Sequence, residues 1–325
     1  MAGADRPCAW FTVAARARLR QRHRELLGAA GERGHSLRSG SIYAKVFMNA
    51  QPDWLMDLLE EEVHARIDDD PRTQASPGTF LGWPKGKIFF DVLGGGQADF
   101  DESLGDLTPE DRALLYARYN QARHLDELRE AFRLLFDGSI QAGSPTLIDL
   151  GCGPITAGLA LAAALGPGRA FRYHGIDRAS GMRELGRRFA DAAERREAFH
   201  PSTTWTFSDD LDKNDFGKIR GDLTLVVASY LLASPTLDVD GLVVSLLRAL
   251  DRIGPGPVAI LYTNSAKPGP NTKYPRFVDA LLAGGFKILT DRTEKFEETR
   301  TPLELRYALL FRPAPATIRV RRGEP

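Results

Sequence analysis

The chain has 325 residues, 43% of them hydrophobic, so it can bury a full core, and its length allows two domains. Its 43 basic and 43 acidic side chains cancel, which removes any global electrostatic argument for a nucleic-acid or anionic-membrane partner. Two cysteines, Cys8 and Cys152, are too few for a disulfide framework, no metal-ligand cluster stands out, and no apolar run approaches the roughly 20 residues that span a bilayer. The N-terminus lacks a signal-peptide core, and the expected setting is a reducing cytoplasm with no membrane partner.

Residues 14–27 read as a helix with strongly basic faces, closed by Gly28. Such a helix serves either as a nucleic-acid arm or as a solvated face paired with the acids at 60–62 or 68–70, and the second use is expected here. Trp54, Leu55, Leu58, Leu59, Val63 and Ile67 recur at helical spacing after Asp53. Residues 71–84 form a turn-rich connector, and 87–93 read as a short strand or inserted loop before Gly94-Gly95-Gly96. No helical pattern follows those glycines, so they are not read as a phosphate loop. Thr108-Pro109-Glu110-Asp111 combines a capping residue, a first-position proline and first-turn acids, and starts a helix that runs toward Phe136. Tyr116 and Tyr119 share one side of it, and Asn120, Arg123 and His124 continue near that side.

Residues 146–150 are apolar enough for a strand buried on both faces, with Asp149 near its end and a break at Gly151-Cys152-Gly153. A dinucleotide fold would place G-x-G-x-x-G here, but Thr156 stands at the third glycine position. Residues 171–177 read as a second strand ending in Asp177, whose carboxylate can accept from both hydroxyls of a ribose. The third strand, 203–207, ends in Ser208-Asp209-Asp210, and the fourth, 221–228, leads into Ser229-Tyr230. A helix over 240–253, a strand over 257–263 and a helix over 274–282 follow, then two strands, 286–290 and 304–311, flanking a charged link. The tail carries the basic cluster 319–322.

Leu147-Ile148-Asp149-Leu150-Gly151-Cys152-Gly153 resembles motif I of the class I S-adenosylmethionine-dependent methyltransferases, and the likeness covers about the C-terminal 180 residues. The resemblance implies an α/β fold with a seven-stranded, mostly parallel, doubly wound sheet that ends in an antiparallel hairpin. A mainly helical N-terminal extension of 1–145, a cofactor domain of 146–315 and a basic tail of 316–325 are the expected parts. By the same resemblance Asp149, Gly151, Cys152 and Gly153 surround the amino-acid part of S-adenosylmethionine, Asp177 with Arg178 holds the ribose, and either Asp209 or Asp210 meets the adenine. Ser229 and Tyr230 then face the reacting methyl, and the helices before motif I cover the acceptor, which makes Tyr116, Tyr119, Asn120 and His124 pocket candidates.

Tyr230, His124 and Tyr119 are the expected catalytic side chains, with Tyr262 and Lys267 as further bases. Two departures matter: Ile155 stands where the family often has a third glycine, and the Asn/Asp-Pro-Pro-Tyr loop of many amino-group methyltransferases is replaced by Ser229-Tyr230. The expected function is methyl transfer to a small-molecule acceptor. RNA methylation through the basic helix, a non-catalytic cofactor-binding partner subunit, and aminocarboxypropyl transfer are the alternatives.

Overall fold

The computed structural model describes residues 52–137, 143–295 and 304–315. The basic helix expected over 14–27 and the tail over 316–325 lie outside the described residues.

The first helix, α1 (Asp53–Leu59), runs on through a π-helical turn at Glu60–Ala65, and its apolar stripe is used as its spacing predicts: Leu55, Leu58, Leu59, Val63 and Ile67 are all buried. The acids expected to face the basic helix have arginine partners within the described residues: Glu62 binds Arg66 and Arg188, Glu61 binds Arg196, and Asp68 binds Arg118. Residues 87–93 are neither strand nor loop. They form a π-helical turn in which Ile88 and Val92, four apart, are buried, a helical rather than an alternating burial pattern.

A second helical arm starts at α2 (Pro109–Tyr116), passes through a π-helical turn at Ala117–Gln121 and continues as α3 (Ala122–Asp137). Its start is a full capping box: Asp111 N–H donates to Thr108 Oγ1 and Thr108 N–H to Asp111 Oδ2, each at 3.1 Å.

The sheet contains β1 (Thr146–Leu150), β2 (Arg172–Ile176), β3 (Thr204–Ser208), β4 (Thr224–Ser229), β5 (Val258–Ser265), β6 (Lys287–Lys295) and β7 (Glu304–Arg312). Their order is β3-β2-β1-β4-β5-β7-β6, parallel except for β7, which runs antiparallel to both β5 and β6. All of β1 and nearly all of β4 and β5 are buried, whereas the edge strand β6 alternates and carries Lys287, Asp291, Arg292 and Glu294.

The covering helices are α4 (Thr156–Leu165), α5 (Ser180–Arg195), α6 (Val239–Ile253) and α7 (Tyr274–Ala283). One face of the sheet packs its apolar side chains, among them Ile148, Val226 and Ile260, against Leu246, Leu250 and Phe277 of α6 and α7. Strand order reverses between β1 and β4, so the crevice at their C-terminal ends is where this architecture places a ligand.

Gln51–Phe132 and Ala142–Pro325 cluster as one compact unit. The helices over 53–132 thus cluster in one unit with the sheet. The remaining unit is represented among the described residues by the end of α3 from Arg133. The start of α2 meets α5 at Gly181, where a Cβ would stand 2.6 Å from Pro109 O, an approach that only glycine permits.

Candidate functional site

The turn after β1 is held by two main-chain bonds: Gly151 N–H and Cys152 N–H both donate to Ile176 O at the end of β2, at 2.8 and 3.1 Å. Gly151 and Gly153 take φ values of 66° and 50°, in the left-handed region. Ile155 does the same at φ 58°, so the conformation of a third glycine is kept while the side chain is buried against Gly158 and supports α4 from beneath. Asp149 is buried and accepts from Tyr173 Oη at 2.9 Å. Burial pushes its carboxyl up to about 7, against the pull of the Tyr173 hydroxyl and the Ala157 N–H.

Asp177 closes the other side of this crevice. Its oxygens accept from Gly153 N–H and Ala179 N–H, each at 2.9 Å, and burial raises its pKa against those two bonds. A carboxylate has about four acceptor sites, so capacity remains for ribose hydroxyls. Arg178 points outward and pairs with Asp99. Beyond β3, Asp210 is engaged by Asp212 N–H at 2.8 Å and by Lys213, while Asp209 is exposed. Cys152 is buried and its thiol is pushed up by desolvation, which makes it a wall rather than a nucleophile. Ser229 Oγ accepts from Thr263 Oγ1 at 2.9 Å.

Beside the turn lies a cavity of about 710 Å³. Tyr116, Asn120, Arg123 and His124 line it from the helical arm, Tyr230 from the end of β4, Asn264 to Lys267 from the end of β5, and Phe89 and Gly96 from the segment before α2. Tyr230 is in the left-handed region at φ 58°, a strain of order 1–3 kcal/mol that turns its ring off the strand end into the cavity. There it stacks on His124, with ring centroids 4.3 Å apart and planes 19° apart, and its hydroxyl donates to Glu127 Oε2 at 3.1 Å.

His124 is neutral: burial, aided by the Arg123 charge, pushes its pKa down to about 3. Arg123 donates to Nε2 at 3.0 Å, and a guanidinium only donates, so Nε2 accepts and the ring proton sits on Nδ1, directed at Tyr116 Oη 3.5 Å away. Glu127 is 2% exposed, and burial raises its carboxyl to about 7 although Arg123 and the Tyr230 hydroxyl favour its ionised form.

Turn and cavity meet at Tyr116. Its ring lies 3.9 Å from the point where a Cβ on Gly153 would stand, and the same residue lines the cavity. Gln121 ties the arm to the turn as well, donating to Pro154 O at 3.0 Å and accepting from Thr156 Oγ1 at 2.8 Å. On the other side of the turn Leu231 Cδ1 lies 2.9 Å from the Cβ position of Gly151, so Leu231 covers that glycine.

Of the expected catalytic side chains, His124 and Tyr230 are brought into stacking contact, while Tyr119 donates its hydroxyl to Lys85 O at 2.8 Å and is not among the cavity-lining residues. Lys267 lines the cavity, and Tyr262 donates instead to Asn271 Oδ1 at 2.9 Å. Glu127, Leu231, Gln121 and Phe89 did not stand out in the sequence. The one available signal for Glu127 was an acid four residues after Arg123 on a helix whose neighbouring Leu125 and Leu128 are core. Among the described residues no cluster of His, Cys, Asp and Glu could hold a metal ion, and no helix is long and apolar enough to cross a membrane.

No family model matches the chain, and no curated protein matches it. Solved structures do. A SAM-dependent methyltransferase from Methanosarcina mazei is 14% identical at a TM-score of 0.39, covering 56% of this chain and 98% of its own. Magnesium protoporphyrin IX methyltransferase from Synechocystis, solved with bound SAH, is 15% identical at a TM-score of 0.39, covering 70% and 98%. A TehB-like SAM-dependent methyltransferase from Corynebacterium glutamicum is 17% identical at a TM-score of 0.37, covering 60% and 97%. What the chain itself displays, in its strand order and its closing antiparallel hairpin, is the class I methyltransferase fold.

Proposed function

We propose that the chain is an S-adenosylmethionine-dependent methyltransferase whose acceptor is a small molecule held in the cavity lined by Tyr116, His124 and Tyr230. The observation that carries this reading is Tyr116, whose ring stands 3.9 Å from the Cβ position of Gly153 and which lines the adjoining cavity, so that one side chain lies between a nucleoside-type crevice and an acceptor-sized space. The donor set of the crevice fits the cofactor: left-handed glycines let a ligand lie against the main chain, and Asp177 keeps lone pairs for a ribose. Gly151 would become accessible when Leu231 changes rotamer.

S-adenosylmethionine supplies an electrophilic methyl on a sulfonium. The protein's part is to hold an uncharged nucleophile in line and to exclude water, and the aromatic wall of Phe89, Tyr116 and Tyr230 suits both tasks. A cavity of about 710 Å³ suits a metabolite-sized acceptor.

Calorimetry with S-adenosylhomocysteine and with NAD tests the cofactor: the first should bind and the second should not. Asp177→Ala should weaken S-adenosylhomocysteine binding by about 1.5 to 3 kcal/mol. Because Asp177 also holds Gly153 and Ala179, the variant should lose some stability without ligand too. Tight NAD binding without a response to S-adenosylhomocysteine would overturn the proposal, and methylation of RNA rather than of small molecules would overturn the acceptor class.

A further inference from the structure

We infer that Tyr230 and Glu127 form the proton exit of the cavity, so that the acceptor is one that loses a proton on methylation, a hydroxyl or an uncharged N–H nitrogen. This rests on the methyl-transfer reading above.

Tyr230 lines the cavity, yet its hydroxyl proton is directed away from it, to Glu127 Oε2 at 3.1 Å, which leaves the phenolic oxygen free to accept from a bound molecule. Behind it Glu127 is 2% exposed, and its second oxygen, Oε1, is buried with no hydrogen bond. Arg123 Nε stands 3.7 Å from that oxygen, beyond hydrogen-bond reach, and is itself buried and unbonded. A buried carboxylate held in this way is costly to the fold, and such sites are commonly functional. His124 does not compete for the role. Its Nε2 lone pair is taken by Arg123 and its Nδ1 proton is directed at Tyr116.

As the acceptor's oxygen or nitrogen bonds the methyl carbon, the carbon–sulfur bond breaks and its electron pair stays on sulfur. The acceptor's proton passes to Tyr230 Oη while Tyr230's own proton passes to Glu127 Oε2. A sulfonium cation and a carboxylate anion are thereby replaced by a neutral thioether and a neutral carboxylic acid. The charged and titratable groups facing Glu127 are Arg123 and Asp126 on its own helix, Tyr230 from the end of β4, and Tyr116 from α2. Arg123 and Tyr230 favour the ionised form, whereas burial and Asp126 favour the protonated one.

The test uses the full chain. Infrared titration from about pH 5 to about pH 9 brackets the range useful to a base. It should show a carboxylic-acid carbonyl band that fades as pH rises through neutrality. Glu127→Gln should remove one component of that band, the remainder belonging to Asp149, whose carboxyl is also raised to about 7, and Tyr230→Phe should displace the Glu127 component to higher pH, because the lost hydrogen bond favoured the ionised form. A Glu127 that is ionised throughout, or unmoved by Tyr230→Phe, overturns the pair. In parallel, methyl-labelled S-adenosylmethionine is supplied with a small-molecule cell extract. Label should reach oxygen or nitrogen, and Glu127→Gln should cut transfer at least ~10²-fold with S-adenosylhomocysteine affinity unchanged. Label on an atom with no proton to lose, such as a thioether sulfur or a tertiary nitrogen, or transfer by Glu127→Gln at the wild-type rate, overturns the inference. A wild-type chain that does not bind S-adenosylhomocysteine defeats the methyl-transfer reading itself, a result separable from the infrared titration.

Discussion

The glycine turn and the cavity wall are neighbours built on opposite plans. In the turn the polar groups are satisfied largely by main chain: Asp177 takes two backbone N–H groups, and Gly151 and Cys152 both donate to Ile176 O. The cavity wall is made of side chains from segments far apart in the chain, and it leaves Arg123 Nε and Glu127 Oε1 buried without hydrogen bonds. A turn set by backbone conformation holds its shape whatever is bound. A wall with open donors and acceptors is where a ligand's chemistry is read.

The sharpest way to break this comparison is to pry the wall from the turn. Gly181 is where the helical arm meets α5, and a Cβ there would run into Pro109 O and into Pro109 C at 2.8 Å. Because both obstacles are backbone, Gly181→Ala should cost about 3 kcal/mol, at the upper end for overpacking, read from the urea midpoint. An unchanged midpoint would show that the arm is only loosely seated.

A pH series separates the two regions. Asp149 in the turn and Glu127 behind the wall are both raised to about 7 from ordinary values of 3.8 and 4.5. Between the unfolded and folded values the native state binds more protons than the unfolded one. The stability from these groups is therefore complete below about pH 4 and falls as pH rises through about pH 7, by on the order of 3–4 kcal/mol for each. Asp149→Asn and Glu127→Gln should each flatten one share of that slope, measured as urea midpoint against pH. The smallest effect is expected on the surface between the regions, where Arg178 and Asp99 pair with side chains 63% and 44% exposed. Arg178→Ala should change stability by less than about 0.5 kcal/mol, and a larger loss would mean that this exposed pair helps hold the segment before α2 in place.

The two regions differ equally in how readable they were. The turn lies in a single run, Asp149 to Gly153, and the strand endings that flank it are local patterns of apolar residues stopped by an acid or a glycine, so the strands and the turn could be anticipated from short windows, whereas the architecture of the sheet was implied by the family resemblance. Parts of the wall could be anticipated where they sit on one helix, as for Tyr116, Asn120 and His124, or just after a strand end, as for Tyr230 and Lys267. Tyr119 shares that helix and its chemistry, yet it faces Lys85 because the π-helical turn at Ala117–Gln121 alters the register between one turn and the next. The segment over 87–93 was misread for a related reason: a short apolar run fits a strand and a buried helical turn equally well until its neighbours are known.

By itself the sequence determined most of the elements, the run over 87–93 excepted, and the chemistry available to them. Hydrophobic period, capping residues and glycines act over a few residues and do not depend on what packs above. Tertiary structure alone decided that Tyr230 stacks on His124 and donates its hydroxyl hydrogen bond to Glu127, 103 residues away in the chain, and that Leu231 covers Gly151. Hydrogen bonds and desolvation depend on distance in space, so the raised Glu127 carboxyl and the lowered His124 imidazole exist only once the helical arm has closed over the sheet.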